Sequence, residues 1–354
     1  MYNFIKSLFI SDKILNKNLI IFLFCIAIIF GPAYTLFDTY DYDMIANPDV
    51  ESYIGLANFD FNQSPIRKFR VIIPFIASGV NFIFNPAFNA LKPYTFPGPD
   101  FSLCLSFLLV NCFFMAIFGL VIFRLCKEFC NSNFAILIGL ISVLTCRWTS
   151  YFIGIPSTDS LYLIILAITL LGLKTNNKKL LIIAIFIGPW TKESFIFIAP
   201  LIYFYSNINK FKQLLLFFIS GIIIFSFRYY IDSLGNYNTT LGLEYDFAHF
   251  EKIPSSLIRL FSFHGIYEVF SIVGFWGLLF LLLIYPNIRI VIKNKTTLYM
   301  KLFLIIVLIH ALLSNELARM FYLATPIIAV WLSIISEEFM KYCKLNNLFN
   351  FNIN

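Results

Sequence analysis

Apolar residues in this chain run in long unbroken stretches, separated by short polar or basic breaks. Eleven such runs can be placed, at 19–37, 71–90, 101–123, 134–154, 155–173, 180–190, 195–206, 214–231, 263–285, 299–314 and 320–336. Leu19–Phe37, Phe101–Phe123 and Ser262–Tyr285 reach the roughly 20 apolar residues that a bilayer-crossing helix needs. Inside hydrocarbon every backbone group must be satisfied within the protein, which leaves helices or closed barrels. A transmembrane barrel would alternate apolar and polar positions, and these runs do not. The pattern predicts an all-α fold, a polytopic transmembrane helical bundle.

The polar breaks set the threading. Cytoplasmic loops carry the excess of Lys and Arg. Lys6, Lys13 and Lys17 place the first segment inside, and Asp38–Arg70, with Asp38, Asp41, Asp43, Asp49, Glu51 and Asp60, then lies outside. The later basic breaks hold Arg124, Lys127, Lys174, Lys178, Lys179, Lys210, Lys212, Arg289, Lys293, Lys295, Lys341 and Lys344. They all fall inside only if 71–90, broken by Pro74 and Pro86, does not cross. The expectation is about ten spans, a juxtamembrane or re-entrant helix in the first outer loop, and both termini cytoplasmic. A cytoplasmic segment 1–18, a transmembrane domain 19–336 with outer loop 38–100, and a cytoplasmic tail 337–354 follow. Leu180–Trp190 and Phe195–Ser206 are too short for comfortable spans. They read as a unit that enters and returns, with Thr191-Lys192-Glu193-Ser194 sunk at its tip.

Composition strengthens this reading. Of 354 residues 60% are hydrophobic and 13% charged, about half the charge of a soluble domain. The net charge of +7 marks topology and gives no reason to expect nucleic acid. The segment after Lys17 reads as an uncleaved first span rather than a signal peptide. Seven cysteines are scattered through apolar runs, and Cys126 and Cys130 lack the second pair or neighbouring His of a metal site. His249, His264 and His310 lack zinc-protease spacing, and no phosphate-binding Gly-rich loop or G-x-S-x-G elbow occurs.

Ionisable residues at membrane depth are costly and mark function. The threading brings four groups to the outer face: the acidic segment around Asp49, the turn at Asp159, the tip Lys192-Glu193, and Glu316 with Arg319. Asp49 follows Pro48 and could cap a helix, or it could take a proton from an acceptor hydroxyl or bind a cation. Asp41 and Asp43 form a D-x-D pair that could hold a divalent cation. Arg67, Lys68 and Arg70 could anchor an interfacial helix or receive a lipid-linked phosphate. Asp159 could be a plain cap, Lys192-Glu193 a self-neutralising pair, and Glu316/Arg319 an i,i+3 ion pair. In functional terms Lys192 and Arg319 would be phosphate contacts and Glu193 a sugar-hydroxyl acceptor. Arg147 and Arg228 read as snorkelling side chains.

Asp49, Tyr53, Ala57, Arg70 and Pro74, then Thr158-Asp159-Ser160, Lys192-Glu193-Ser194, and Arg319 before Pro326 form a pattern that resembles the GT-C superfamily of polytopic glycosyltransferases. The resemblance spans roughly residues 19–330. It implies inverting transfer of a sugar from a polyprenyl-phosphate donor to a glycan, lipid or other acceptor, on the non-cytoplasmic face of the cell membrane. It also implies Asp49 as base or metal ligand, and Arg319 and Lys192 as phosphate contacts. The transfer could be metal-dependent, with Mg2+ or Mn2+, or metal-independent. The large soluble C-terminal domain of oligosaccharyltransferase-type members is not expected here, which argues against a protein acceptor of that kind. Two other readings compete: a transporter or flippase of a lipid-linked or anionic substrate, and an outer-face polysaccharide polymerase. A transporter would show internal symmetry and paired half-helices, which are not evident. The outer loop Asp232–Phe261 holds only Lys252 and Arg259 as cations, few for a polymerase.

Overall fold

A computed structural model describes residues 12–40, 42, 48–63, 67–93, 96, 100–234, 250–314 and 316–345. The described residues are helical, without strands. In chain order the helices are α1 (Asp12–Thr39), α2 (Pro48–Ala57), α3 (Ile72–Ala90), α4 (Phe101–Lys127), α5 (Asn133–Leu144), α6 (Arg147–Gly154), α7 (Asp159–Lys174) and α8 (Lys178–Thr191). They continue as α9 (Ala199–Tyr205), α10 (Lys210–Leu234), α11 (Ile253–Leu260), α12 (Phe263–Phe270), α13 (Pro286–Lys295), α14 (Leu298–Leu313), α15 (Leu317–Phe321) and α16 (Thr325–Leu345). Short 3-10 turns cover Glu193–Phe197 and Tyr322–Ala324, and a longer one covers Gly274–Ile284.

α4 is the central post. It packs against α1, α3, α5, α6, α7 and α16, which is why its apolar residues have no polar stripe. Its entry is capped by Asp100, whose side chain accepts from the Leu103 N–H, and Arg124 and Lys127 close its last turn. That polarity suits the helix dipole, which favours cations at the C-terminal end. α16 is the second interior helix and lies close against α5. A Cβ on Gly139 would strike the Ser333 hydroxyl and the Ala329 carbonyl. Close approach through small residues is how helices associate where lipid removes the hydrophobic drive.

The periphery is apolar on its outside. Phe82 on α3 is 88% exposed, Phe225 on α10 73% and Phe263 on α12 94%, and α10 carries many more exposed Phe, Leu and Ile side chains along its length. Such a surface is unfavourable in water and at home in hydrocarbon. Taken with the long apolar helices, it makes this a membrane protein.

Among the described residues, five helical segments are each long and apolar enough to cross a bilayer. The count rises to eight if each of three bent pairs is one span. That is fewer than the ten expected, for identifiable reasons. α7 and α8 have 16 and 14 residues, or about 24 and 21 Å of helix, short of a hydrocarbon layer of about 30 Å. The run Ser262–Tyr285 is not one straight span. α12 and the 3-10 turn Gly274–Ile284 meet at 95°, and Gly274 supplies a positive φ of 51° close to the bend. The run 134–154 likewise bends by 56° between α5 and α6. Pro74 and Pro86 do not break 71–90: α3 is one continuous helix of 19 residues. Pro74 falls in its first turn, where no intrahelical N–H is needed, and the helix runs on past Pro86. α3 therefore also meets the length and apolarity of a span.

The bundle has two chemically different ends. α1 runs antiparallel to α4, with Phe22 against Phe113 and Phe37 against Phe101. At one end the basic breaks meet. The Asn131 N–H donates to Glu337, Lys174 sits over the Phe129 ring, Lys295 donates to the Phe129 carbonyl, and Asn207 donates to Asn176. The start of α1 and the end of α16 lie at this basic end. The α8–α9 unit enters from it and returns to it, leaving Lys192 and Glu193 at the other end.

Candidate functional site

At the far end, charges distant in sequence are placed in contact. Asp49 lies in the first turn of α2, after Pro48, and Asp159 is the first residue of α7. Lys192 ends α8 in an extended conformation, and Glu193 opens the 3-10 turn behind it. Arg319 sits in the short helix α15, and Arg70 just before α3.

Arg319 is the hub. Its Nη1 donates to Asp49 Oδ2 at 2.9 Å and to Glu316 Oε2 at 2.9 Å, and its Nη2 donates to Asp159 Oδ2 at 2.7 Å. Lys192 Nζ donates to Asp159 Oδ1 at 3.0 Å. Arg70 grips Glu193 Oε2 through Nη2 at 2.9 Å and Nε at 3.3 Å, and its Nη1 donates to the Tyr53 hydroxyl at 3.0 Å. Arg67 pairs with the other oxygen of Asp49, and Arg228 Nη2 reaches Glu193 Oε1 at 3.5 Å. Asp159, Lys192 and Arg319 are buried. Burying charges is tolerable only when they are paired and hydrogen-bonded, and here nearly every polar atom has a partner. Arg319 Nε and Arg228 Nε are exceptions: both are buried and have no hydrogen-bond partner among the described residues.

Local sequence explains the placement. Asn111, buried in mid-α4, donates to the Ser157 carbonyl and accepts from Ser160 Oγ at 2.6 Å. It ties the Pro156–Ser160 turn to the central post and presents Asp159 at the head of α7. Phe195 fills the space where a Cβ on Gly188 would lie, so the chain folds back tightly just past Lys192. Ser194 Oγ donates to the Tyr162 hydroxyl, and Lys192 Nζ lies 5.7 Å from the Tyr162 ring centre.

Three sequence readings change. Asp49 and Asp159 could each have been plain caps, but no capping bond is made by Thr158 or Asp159 at α7, and Asp49 spends both oxygens on Arg67 and Arg319. Lys192 and Glu193 do not neutralise each other, because each pairs with a different partner. Arg228 does not snorkel away; it faces Glu193. Lys68, from the basic cluster, pairs with Asp232. Only the Glu316/Arg319 pair is as local as its spacing suggests. The role of Asn111 was not assigned from sequence, its one visible signal being an Asn within an unbroken apolar run, and the pairing of Arg67 with Asp49 and of Arg228 with Glu193 was not expected.

Electrostatics follow the geometry. Burial alone would raise the Asp49 carboxyl, but the Arg319 and Arg67 guanidinium groups outweigh it and hold it below the usual carboxylate range. Burial opposes the charge on Arg70, and Glu193 with the Tyr53 hydroxyl more than restores it. Asp41 and Asp43 lie outside the described residues. Among the described residues no group of three His, Cys, Asp or Glu could hold a metal ion. Asp49 and Asp159 offer their oxygens to guanidinium and ammonium groups, which is the donor set of an ion-pair network and does not fit a divalent cation. No family model, curated protein or solved structure gave a significant match to this chain.

Beside the hub, a cleft of about 220 Å3 opens between α6, α11, α12 and α15, lined by Trp148, Tyr151, Arg259, Glu268, Glu316 and Arg319.

Proposed function

We propose that this protein is a membrane glycosyltransferase that moves a sugar from a polyprenyl-phosphate donor to an acceptor hydroxyl at the acidic end of its bundle. The observation that carries the reading is the meeting of Arg319, Lys192 and Arg70 with Asp49, Asp159 and Glu193 at one end of an apolar bundle. The resemblance of their sequence contexts to the GT-C superfamily agrees with it. The basic loops at the opposite end mark the cytoplasmic side by the positive-inside rule, so the site faces the non-cytoplasmic side of the cell membrane. α7 and α8 are too short to span hydrocarbon, so their site ends lie below the membrane surface. A phosphate on a lipid chain would be met at that depth.

The chemistry asks for three things. Guanidinium and ammonium groups hold the donor phosphate and stabilise the charge that develops as it leaves. The acceptor hydroxyl is held in line with the anomeric carbon. A carboxylate takes its proton. The acceptor oxygen forms the new C–O bond while the bond from the anomeric carbon to the phosphate oxygen breaks, and polyprenyl phosphate departs with that electron pair. At rest Asp49 is a weak base because two guanidinium groups hold it. A donor phosphate competing for Arg319 would loosen that hold and raise Asp49's basicity where the hydroxyl arrives.

Membranes carrying Asp49→Asn, supplied with polyprenyl-phosphate sugar, test this directly. Sugar transfer should fall by a factor of about 100 or more, the scale of general-base loss, while the protein level is unchanged. Full activity in that variant removes Asp49 from the mechanism, and no transfer by the wild-type chain from any such donor removes the reading.

A further inference from the structure

We infer that the cleft bounded by Trp148, Tyr151, Glu268 and Arg319 is a binding site for a single sugar ring. This deepens the glycosyltransferase reading and rests on it for the origin of the ring, though not for the binding itself.

The lining is chemically specific. Trp148 and Tyr151 stand in edge contact, ring centres 5.2 Å apart, and give the cleft an aromatic side. Trp148 is held in place by its Nε1, which donates to Ser271 Oγ at 3.2 Å. On the polar side two hydrogen-bonding atoms are left over. Arg319 is 8% exposed, and its Nε is a buried donor without a partner among the described residues. Glu268 accepts on Oε1 from Arg259 and meets His264 there at 3.2 Å, while its buried Oε2 has no partner. A buried polar atom without a partner costs about 1–3 kcal/mol, and both residues that carry these atoms line the cleft, so a ligand that supplies an acceptor and a donor there would offset that cost.

The charges select among ligands. Glu268 and Glu316 line the cleft together with Arg259 and Arg319, so the lining charges balance and favour a neutral polar ligand over a second anion. A purely apolar ligand would leave the two atoms unmet. A neutral polyhydroxylated ring fits: its C–H face lies on aromatic carbon, one hydroxyl donates to Glu268, and one hydroxyl oxygen accepts from Arg319. The volume of about 220 Å3 is below the roughly 300–1,000 Å3 of sites for drug-sized ligands, so it suits one ring rather than a chain. Through Arg319 the cleft adjoins Asp49 and Asp159, which would put the ring beside the reacting groups.

The test uses the full chain in lipid nanodiscs with the methyl glycosides of glucose, galactose, mannose and N-acetylglucosamine. Saturation-transfer NMR and calorimetric titration read binding, and inorganic phosphate serves as competitor. At least one glycoside should bind saturably, and phosphate should not displace it. Trp148→Leu and Glu268→Gln should each weaken binding about tenfold, equivalent to roughly 1.4 kcal/mol, with elution profile and melting temperature unchanged. Tyr151→Leu gives an independent readout if Trp148→Leu fails to fold. Asp49→Asn should bind the glycoside as the wild type does, so a failed transferase reading is distinguishable from a failed sugar site. In transfer assays, a rise in KM for the donor assigns the ring to the lipid-linked sugar, and a rise for the acceptor assigns it there. Absence of saturable binding across the panel, displacement by phosphate, or binding that survives Trp148→Leu, Tyr151→Leu and Glu268→Gln overturns the inference.

Discussion

Arg319 touches three carboxylates from three parts of the chain, and two of them share it with another cation. Such a network is costly to break and cheap to remove whole. Asp159→Ala leaves Lys192 and Arg319 buried beside an empty position and should cost about 3–5 kcal/mol, read as lower thermal stability of the detergent-solubilised protein. The paired change Asp159→Leu with Lys192→Met should recover much of that stability while sugar transfer stays lost. Asp49 gives the pH dependence. Its folded carboxyl ionises below its unfolded value, so its stabilisation is complete above roughly pH 4 and is lost as the pH falls through the lowered folded value. Wild-type stability from this group should therefore be flat from pH 7 to 5 and fall only in stronger acid. In Arg319→Gln, where less opposes the burial of Asp49, that acid-dependent loss should shrink, because the folded carboxyl then ionises closer to its unfolded value. A melting-temperature series across pH would check both.

Between elements, one close contact is the seam of α5 and α16 at Gly139. Gly139→Leu should cost at least the roughly 1–3 kcal/mol of an overpacked interior, because a backbone carbonyl as well as a hydroxyl blocks the side chain. Gly79→Ala on α3 is the control, since open space surrounds its position, and it should leave the stability within about 0.5 kcal/mol of wild type. The elements also show where the amino-acid pattern speaks clearly. Asp100, Ser132, Asn177 and Ser262 cap helices as their side chains suggest. The 263–285 run, apolar apart from His264, Glu268 and Ser271, carries no periodicity that distinguishes a straight helix from a bent one. Packing of its Trp276 Nε1 on Thr145 Oγ1 at 3.0 Å accompanies the bend.

For the whole molecule the testable matter is orientation. The seven cysteines are free and buried, so single introduced cysteines can be labelled over a low background. Asn176→Cys, at the basic end, should react with a membrane-impermeant maleimide only after the cells are opened, and Asp60→Cys, near the site end, should react in intact cells. The opposite pattern would place the acidic cluster inside and remove a non-cytoplasmic transferase.

By itself the sequence determined the helical class, the membrane setting and which charges stand out, because apolar run length and the cost of a charge in hydrocarbon are properties of local composition. Asp49, Arg70, Asp159, Lys192, Glu193 and Arg319 are conspicuous for that reason alone. Tertiary structure decided who pairs with whom, which apolar runs bend, and that Arg319 joins an ion-pair hub to an aromatic cleft. Those outcomes depend on contacts between residues as far apart as Asp49 and Arg319, which arise only when the helices pack, and no local spacing encodes them.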